Sequence, residues 1–209
     1  MAKPRTPPAP IDLAASILDA WRTNCRVTAY FIEQLPAVLW NEAVPGITPR
    51  RPIRMILGHL HNVRSRWIRT LGLPHGIPVP PLVDLRTVNR RQLLTALAKS
   101  DRAMEALLTL GLDAGGQVPS SPAYTWRNLP LDVGHVLMYF TSHEAHHRGQ
   151  IVTIARQLGH RLPASITNGL WQWTTRQREF RTLGVRVGPP NDNPTPPPIK
   201  PQRTRRSRR

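Results

Sequence analysis

The chain has 209 residues, enough for one domain with a full-sized core plus tails. Its net charge of +17, from 29 Lys and Arg against 12 Asp and Glu, permits contact with nucleic acid or an anionic surface but carries no information about fold. Cys25 stands alone, which excludes an internal disulfide, and no run of about 18 apolar residues offers a transmembrane helix.

Residues 1–10 are Pro-rich and basic and are expected to be disordered. They hold no apolar stretch of the kind a secretory signal needs, so a reducing, cytoplasmic setting is expected. Cys25 reads as a small core residue rather than a nucleophile. From Ile11 to Leu35 apolar residues recur at helical spacing, and Pro36 and Pro45-Gly46 then punctuate the chain. Thr48-Pro49 predicts the start of a second helix that reaches Leu71. Ile53, Ile56, Leu57, Leu60, Trp67 and Ile68 form its apolar stripe, and it carries His59 and His61.

Residues 72–81 show no periodicity. A connection of that length can cross a bundle end instead of turning tightly. A third helix is predicted from Thr87 to Leu110. The loop after it is rich in Gly and Pro, and its Tyr124 and Trp126 are expected to pack on the domain. Asn128-Leu129-Pro130 predicts the opening of a fourth helix, which runs to Leu158 and is stopped by Gly159 and Pro163. Residues 165–182 read as a short helix or turn capping the bundle. Residues 183–209 form a Pro/Arg-rich basic tail, expected to be disordered. No strand alternation competes anywhere. The fold class is therefore all-α, a four-helix bundle over residues 11–182.

The fourth helix carries His143-Glu144-Ala145-His146-His147-Arg148-Gly149-Gln150. Residues four apart lie on one face, so His143 and His147 can offer two imidazoles to one metal ion. His146 lies about 100° round from His147 and cannot easily join them. On the wheel His147 falls inside the apolar stripe, His143 at its margin, and His146 and His135 on the solvent side. Two inward imidazoles need partners for their polar nitrogens, and a shared metal is the economical one. A catalytic site of this kind wants a third protein ligand and an open position. His59 and His61 both sit at margins of the second helix's stripe, and the wheel does not choose between them. His75 and His160 fall in loops and are poorly placed for a rigid geometry.

Ile56-Leu57-Gly58-His59-Leu60 with Trp67, and Ser142-His143-Glu144-Ala145-His146-His147-Arg148-Gly149-Gln150-Ile151, resemble the second- and fourth-helix motifs of the DinB/YfiT-like family. This family is distinct from the translesion polymerase that shares part of the name. Leu158-Gly159-His160-Arg161-Leu162-Pro163 and Gly169-Leu170-Trp171-Gln172-Trp173 add to the likeness, which spans roughly residues 11–182. The resemblance implies a four-helix bundle in up-down-down-up order and a divalent metal, zinc or nickel or similar, held by His59, His143 and His147. It implies a low-molecular-weight thiol as co-substrate, a small-molecule electrophile as substrate, and dimers, which are common among relatives.

Thiol transfer is the expected activity, since metal binding deprotonates a thiol outright. Hydrolysis by metal-bound hydroxide is the next reading. Glu144 points near the apolar centre of the wheel, where it would orient an imidazole or act as a base. Gln150 would hydrogen-bond a ligand or a metal-bound imidazole. Arg148 would either bind an anionic group of the thiol or pair with Glu144 at i, i+4, and the ion pair is the favoured reading. His143-Glu144-Ala145-His146-His147 also matches H-E-x-x-H of metallopeptidases, but the longer metzincin form fails at Gln150 and Thr153. A non-enzymatic metal-binding protein, or nonspecific nucleic-acid binding through the Arg-rich tail, completes the alternatives; no nucleic-acid-binding motif supports the latter.

Overall fold

A computed structural model describes residues 10–184 apart from Pro45 and Ile47. The tails expected to be disordered, and any nucleic-acid contact through the basic one, lie almost wholly outside the described residues. The described residues are helical, with a single isolated bridge between Gln117 and Asp132 and no strand. None of the helices is long and apolar enough to cross a membrane.

Four long helices carry the fold: α1 Leu13–Gln34, α2 Ile53–Trp67, α3 Arg90–Asp113 and α4 Val133–Gln157. Asp12 caps α1 by accepting from Ala15 N at 2.9 Å. The second helix begins at Ile53, not at Pro49 as Thr48-Pro49 suggested. Pro52 bars Arg51 from helical geometry and becomes the N-cap. Beyond Trp67 the helix continues through a π-turn, Ile68–Gly72. The third helix starts later than Thr87 because Asn89 and Gln92 form a reciprocal capping box. Likewise Asp132, not Asn128, caps α4, accepting from His135 N at 3.0 Å.

Side-chain contacts fix the helix directions. Asn24 and Thr28 of α1 meet Glu144 and Arg148 of α4, which makes these two parallel. Arg22 pairs with Glu105 and Arg90 reaches Leu35 O, so α1 and α3 are antiparallel. Arg64 meets Glu144 while Trp67 meets Phe140, so α2 runs against α4. His61 meets Ser100, and Ile68 and Leu71 pack with Met104 and Leu107 further along, so α2 and α3 are parallel. The order is up, down, down, up. The long connection after α2 returns the chain along the bundle, as its length allowed.

Residues 165–182 form more than a cap. Two helices follow α4: α5 Ala164–Gly169 and α6 Trp173–Gly184. α6 lies along α1, with Arg26 donating to Glu179 at 2.7 Å and Gln177 and Arg181 reaching Asp19. Gly169 lets α5 approach α1; a Cβ there would lie 2.4 Å from Tyr30 Oη.

The core divides into two apolar clusters. One gathers Phe31, Ile32, Leu57, Leu60, Ile151 and Ile154; the other gathers Trp21, Ile68, Leu71, Met104, Val136 and Phe140. Buried polar residues from all four long helices lie between them: Asn24, Thr28, His61, Arg64, Ser100, Glu144 and Arg148.

Candidate metal centre

α2 and α4 bring His59, His143 and His147 together, so that one ligand nitrogen from each lies within 4.8 Å of the others. The ring centroids of His143 and His147 are 4.6 Å apart, and that of His59 lies 5.3 and 5.1 Å from them. The two α4 rings point their Nε2 atoms at each other across 3.2 Å. All three side chains are half-buried.

Gln150 Oε1 stands 2.9 Å from His147 Nδ1. A carbonyl oxygen only accepts, so Nδ1 carries the proton and Nε2 turns its lone pair to the other two rings. Burial, then the neighbouring His147 and His59, hold His143 down to about 4. Burial also lowers His59, with His147, Arg66 and Arg51 adding to the effect. His147 is lowered by burial against the opposing effect of Gln150. At neutral pH all three rings are therefore neutral, the state a metal ligand requires. The donor set is compatible with a divalent metal.

The other histidines stand apart. His61 is wholly buried, contacts Ser100 Oγ at 3.1 Å and donates from Nε2 to Pro81 O at 2.8 Å. It faces α3 and the long connection, so the choice the wheel left open falls to His59. His146 is exposed on the outer side of α4, and His75 and His160 are exposed beyond helix ends.

Glu144 and Arg148 turn away from the triad. Glu144 is only 1% exposed, and its hydrogen bonds go to protein partners in the interior. Oε1 accepts from Arg64, through Nε at 2.9 Å and also through Nη2. Oε2 accepts from Asn24 at 3.0 Å and Thr28 at 2.7 Å. Arg148 pairs with Glu144 at 3.7 Å and also donates to Thr28 Oγ1 at 2.6 Å. The favoured i, i+4 ion pair is thus present, and Thr28 and Asn24 bridge its two members. The arrangement supports neither Glu144 as a base or imidazole partner nor Arg148 as a thiol anchor. Both follow a triad histidine by one residue, about 100° round the helix and into the core. The H-E-x-x-H peptidase reading falls with them, because it needs Glu144 to face the metal-bound water.

Arg64 completes the network by donating to Asp101. Sequence reasoning did not identify Arg64, Asn24, Thr28 or Asp101. The available signal was three polar residues at apolar-stripe positions of α1 and α2. Cys25 borders the same network, and burial pushes its thiol well up, in keeping with a core residue.

A cleft of about 590 Å³ opens beside the triad, with His59, His147, Gln150, Arg51, Met55 and Ile56 in its walls. No Asp or Glu lines it among the described residues. The sequence model of the DinB family matches residues 10–179. No curated protein matches the chain.

Proposed function

The chain belongs to the DinB family, and from that premise we propose that His59, His143 and His147 hold a divalent metal ion with which the protein activates a low-molecular-weight thiol for transfer to a small electrophile. The observation that carries this reading is the convergence of three neutral imidazoles from two packed helices beside an open cleft. A bound divalent ion supplies Lewis acidity, which lowers the pKa of a coordinated thiol or water.

The chain's own residues do the rest. Three uncharged ligands leave an ion its full positive charge. Gln150 holds the His147 proton on Nδ1 and so keeps Nε2 available. The cleft admits a molecule of modest size, and Arg51 in its wall offers a partner to an anionic group. In the transfer the thiol releases its proton to solvent, its sulfur bonds to the electrophilic carbon, and the leaving group departs with the electron pair. Hydrolysis would use the same ligands, with Glu144 tied to Arg64 and the metal lowering the pKa of water as it does that of a thiol. A cytoplasmic setting goes with the thiol-transfer reading, because low-molecular-weight thiols are kept reduced there.

Elemental analysis of the purified protein tests the site. Near-stoichiometric metal is expected, lost in His59→Ala, His143→Ala and His147→Ala and kept in His61→Ala and His146→Ala. Full metal content in His143→Ala would sink the ligand set. Thiol consumption with generic electrophiles, abolished by a chelator and restored by metal, then separates transfer from hydrolysis.

A further inference from the structure

Residues of α2 and α4 line a cleft on each side of the triad. Met55 and Gln150 flank it on the side of the first cleft. On the other side lies a second cleft of about 530 Å³, lined by Val63, Arg66, Trp67, Tyr124, Trp126 and Tyr139. Val63 and Trp67 are one and two turns beyond His59 on α2, and Tyr139 is one turn before His143 on α4. Tyr139 ties the cleft to the histidines directly: its ring stacks on that of His143, centroids 6.1 Å apart and planes 7° from parallel.

The aromatic rings are arranged as walls. Trp67 meets Trp126 at 5.6 Å and 78°, and Trp126 meets Tyr139 at 5.9 Å and 56°. Phe140 behind them is buried and serves the core, whereas Trp126 is 45% exposed. Rings set at steep angles around an open volume leave faces and edges free for a further ring. No Asp or Glu lines this cleft among the described residues, and Arg66 stands at its lip. A cation, the usual guest of an aromatic box, meets only positive charge here.

We propose that this second cleft binds the planar aromatic ring, neutral or anionic, of the electrophile. This rests on the thiol-transfer reading, and it sets the two substrates in two clefts with the histidines between them. One helical turn, about 5.4 Å, separates Tyr139 from His143. A ring seated against Tyr139 would bring a carbon on the ring, or one bond from it, toward the histidines. For an aryl halide the sulfur–carbon bond forms at the ring carbon. The carbon–halogen bond breaks, halide leaves with its electron pair, and the thiol proton passes to solvent.

Isothermal titration calorimetry with 2,4-dinitroaniline, which is planar and has no halide to lose, reads the subsite apart from the chemistry. Saturable binding to the full chain is expected, weakened about five- to tenfold in Trp126→Ala and in Tyr139→Leu. Cyclohexanone, a six-membered ring that is neither planar nor aromatic, should bind far more weakly. His59→Ala should lose metal and keep ring binding. Ring binding in a protein shown to hold no metal supports the subsite and overturns only the metal reading. Unchanged affinity in both ring variants, or equal affinity for cyclohexanone, overturns the subsite. So does a dimer that dissociates in Trp126→Ala with no ring binding, since the rings would then belong to a subunit interface.

Discussion

His143 and His147 alternate along α4 with Glu144 and Arg148, and the two pairs occupy different environments. The histidines face a groove open to solvent, make few polar contacts and are kept neutral by partial burial. The Glu–Arg pair faces the interior, between two apolar clusters, with its polar atoms engaged by α1 and α2. A rotation of about 100° per residue accounts for the division. One continuous motif thus serves two purposes. The histidines converge with His59 in a group that could hold a metal ion. The Glu144 network is architecture, in which buried charges are tolerable only because each has its partners.

Removing a partner from the network should have the largest effect. Glu144→Ala leaves Arg64, itself 1% exposed, with one of its two carboxylate partners gone and only Asp101 remaining. A loss of about 3–5 kcal/mol in urea unfolding is expected. His143→Ala, in the metal-free protein, should cost less than about 1 kcal/mol, because the ring is half-buried and its polar atom at hydrogen-bonding distance faces only another imidazole. If the two variants unfold at similar urea concentrations, the division between architecture and site is wrong.

This division also explains what could be read from the chain alone. Helical periodicity marked four long helices, because each buries one stripe and exposes the rest. Spacing on α4 marked His143 and His147, because i, i+4 geometry belongs to a single helix. The third histidine was harder. His59 and His61 sit at opposite margins of one stripe, and what separates them is the path of the connection after α2, whose Pro81 carbonyl accepts from His61. Nothing local encodes that path. The network was hidden for the same reason: Arg64 and Asn24 look misplaced until Glu144 from a distant helix meets them. Helix starts shifted wherever a stronger cap stood nearby, as Asn89 and Asp132 did.

Acid should distinguish the two regions next. The three triad histidines and His61 have folded-state pKa values below their ordinary 6.5. The unfolded chain therefore takes up protons first as pH falls, and stability declines. The window opens near pH 6.5 and, for His143, extends to about 4. Metal-free wild type should lose stability through this range. His143→Gln should lose part of that dependence, whereas Glu144→Gln should be weaker than wild type already at pH 7. A stability profile in His143→Gln parallel to that of wild type from pH 6.5 to 4 would show that the ring is ordinary.

The smallest effect is the most specific to the site. Gln150 is exposed, and its one recorded contact is the carbonyl that accepts from His147 Nδ1. Removing such a partner weakens metal binding by about tenfold to a hundredfold in known sites, and exposure places this one near the low end. Gln150→Ala should therefore raise the metal dissociation constant about tenfold in competition with a chelator, with the unfolding midpoint of the metal-free protein unchanged. Gln150→Glu restores an acceptor at the same distance and should restore the affinity. A bound metal that ignores both substitutions would mean that His147 is held by packing alone. Loss of stability in Gln150→Ala would move this residue to the architectural side of α4, where its position on the helix does not put it.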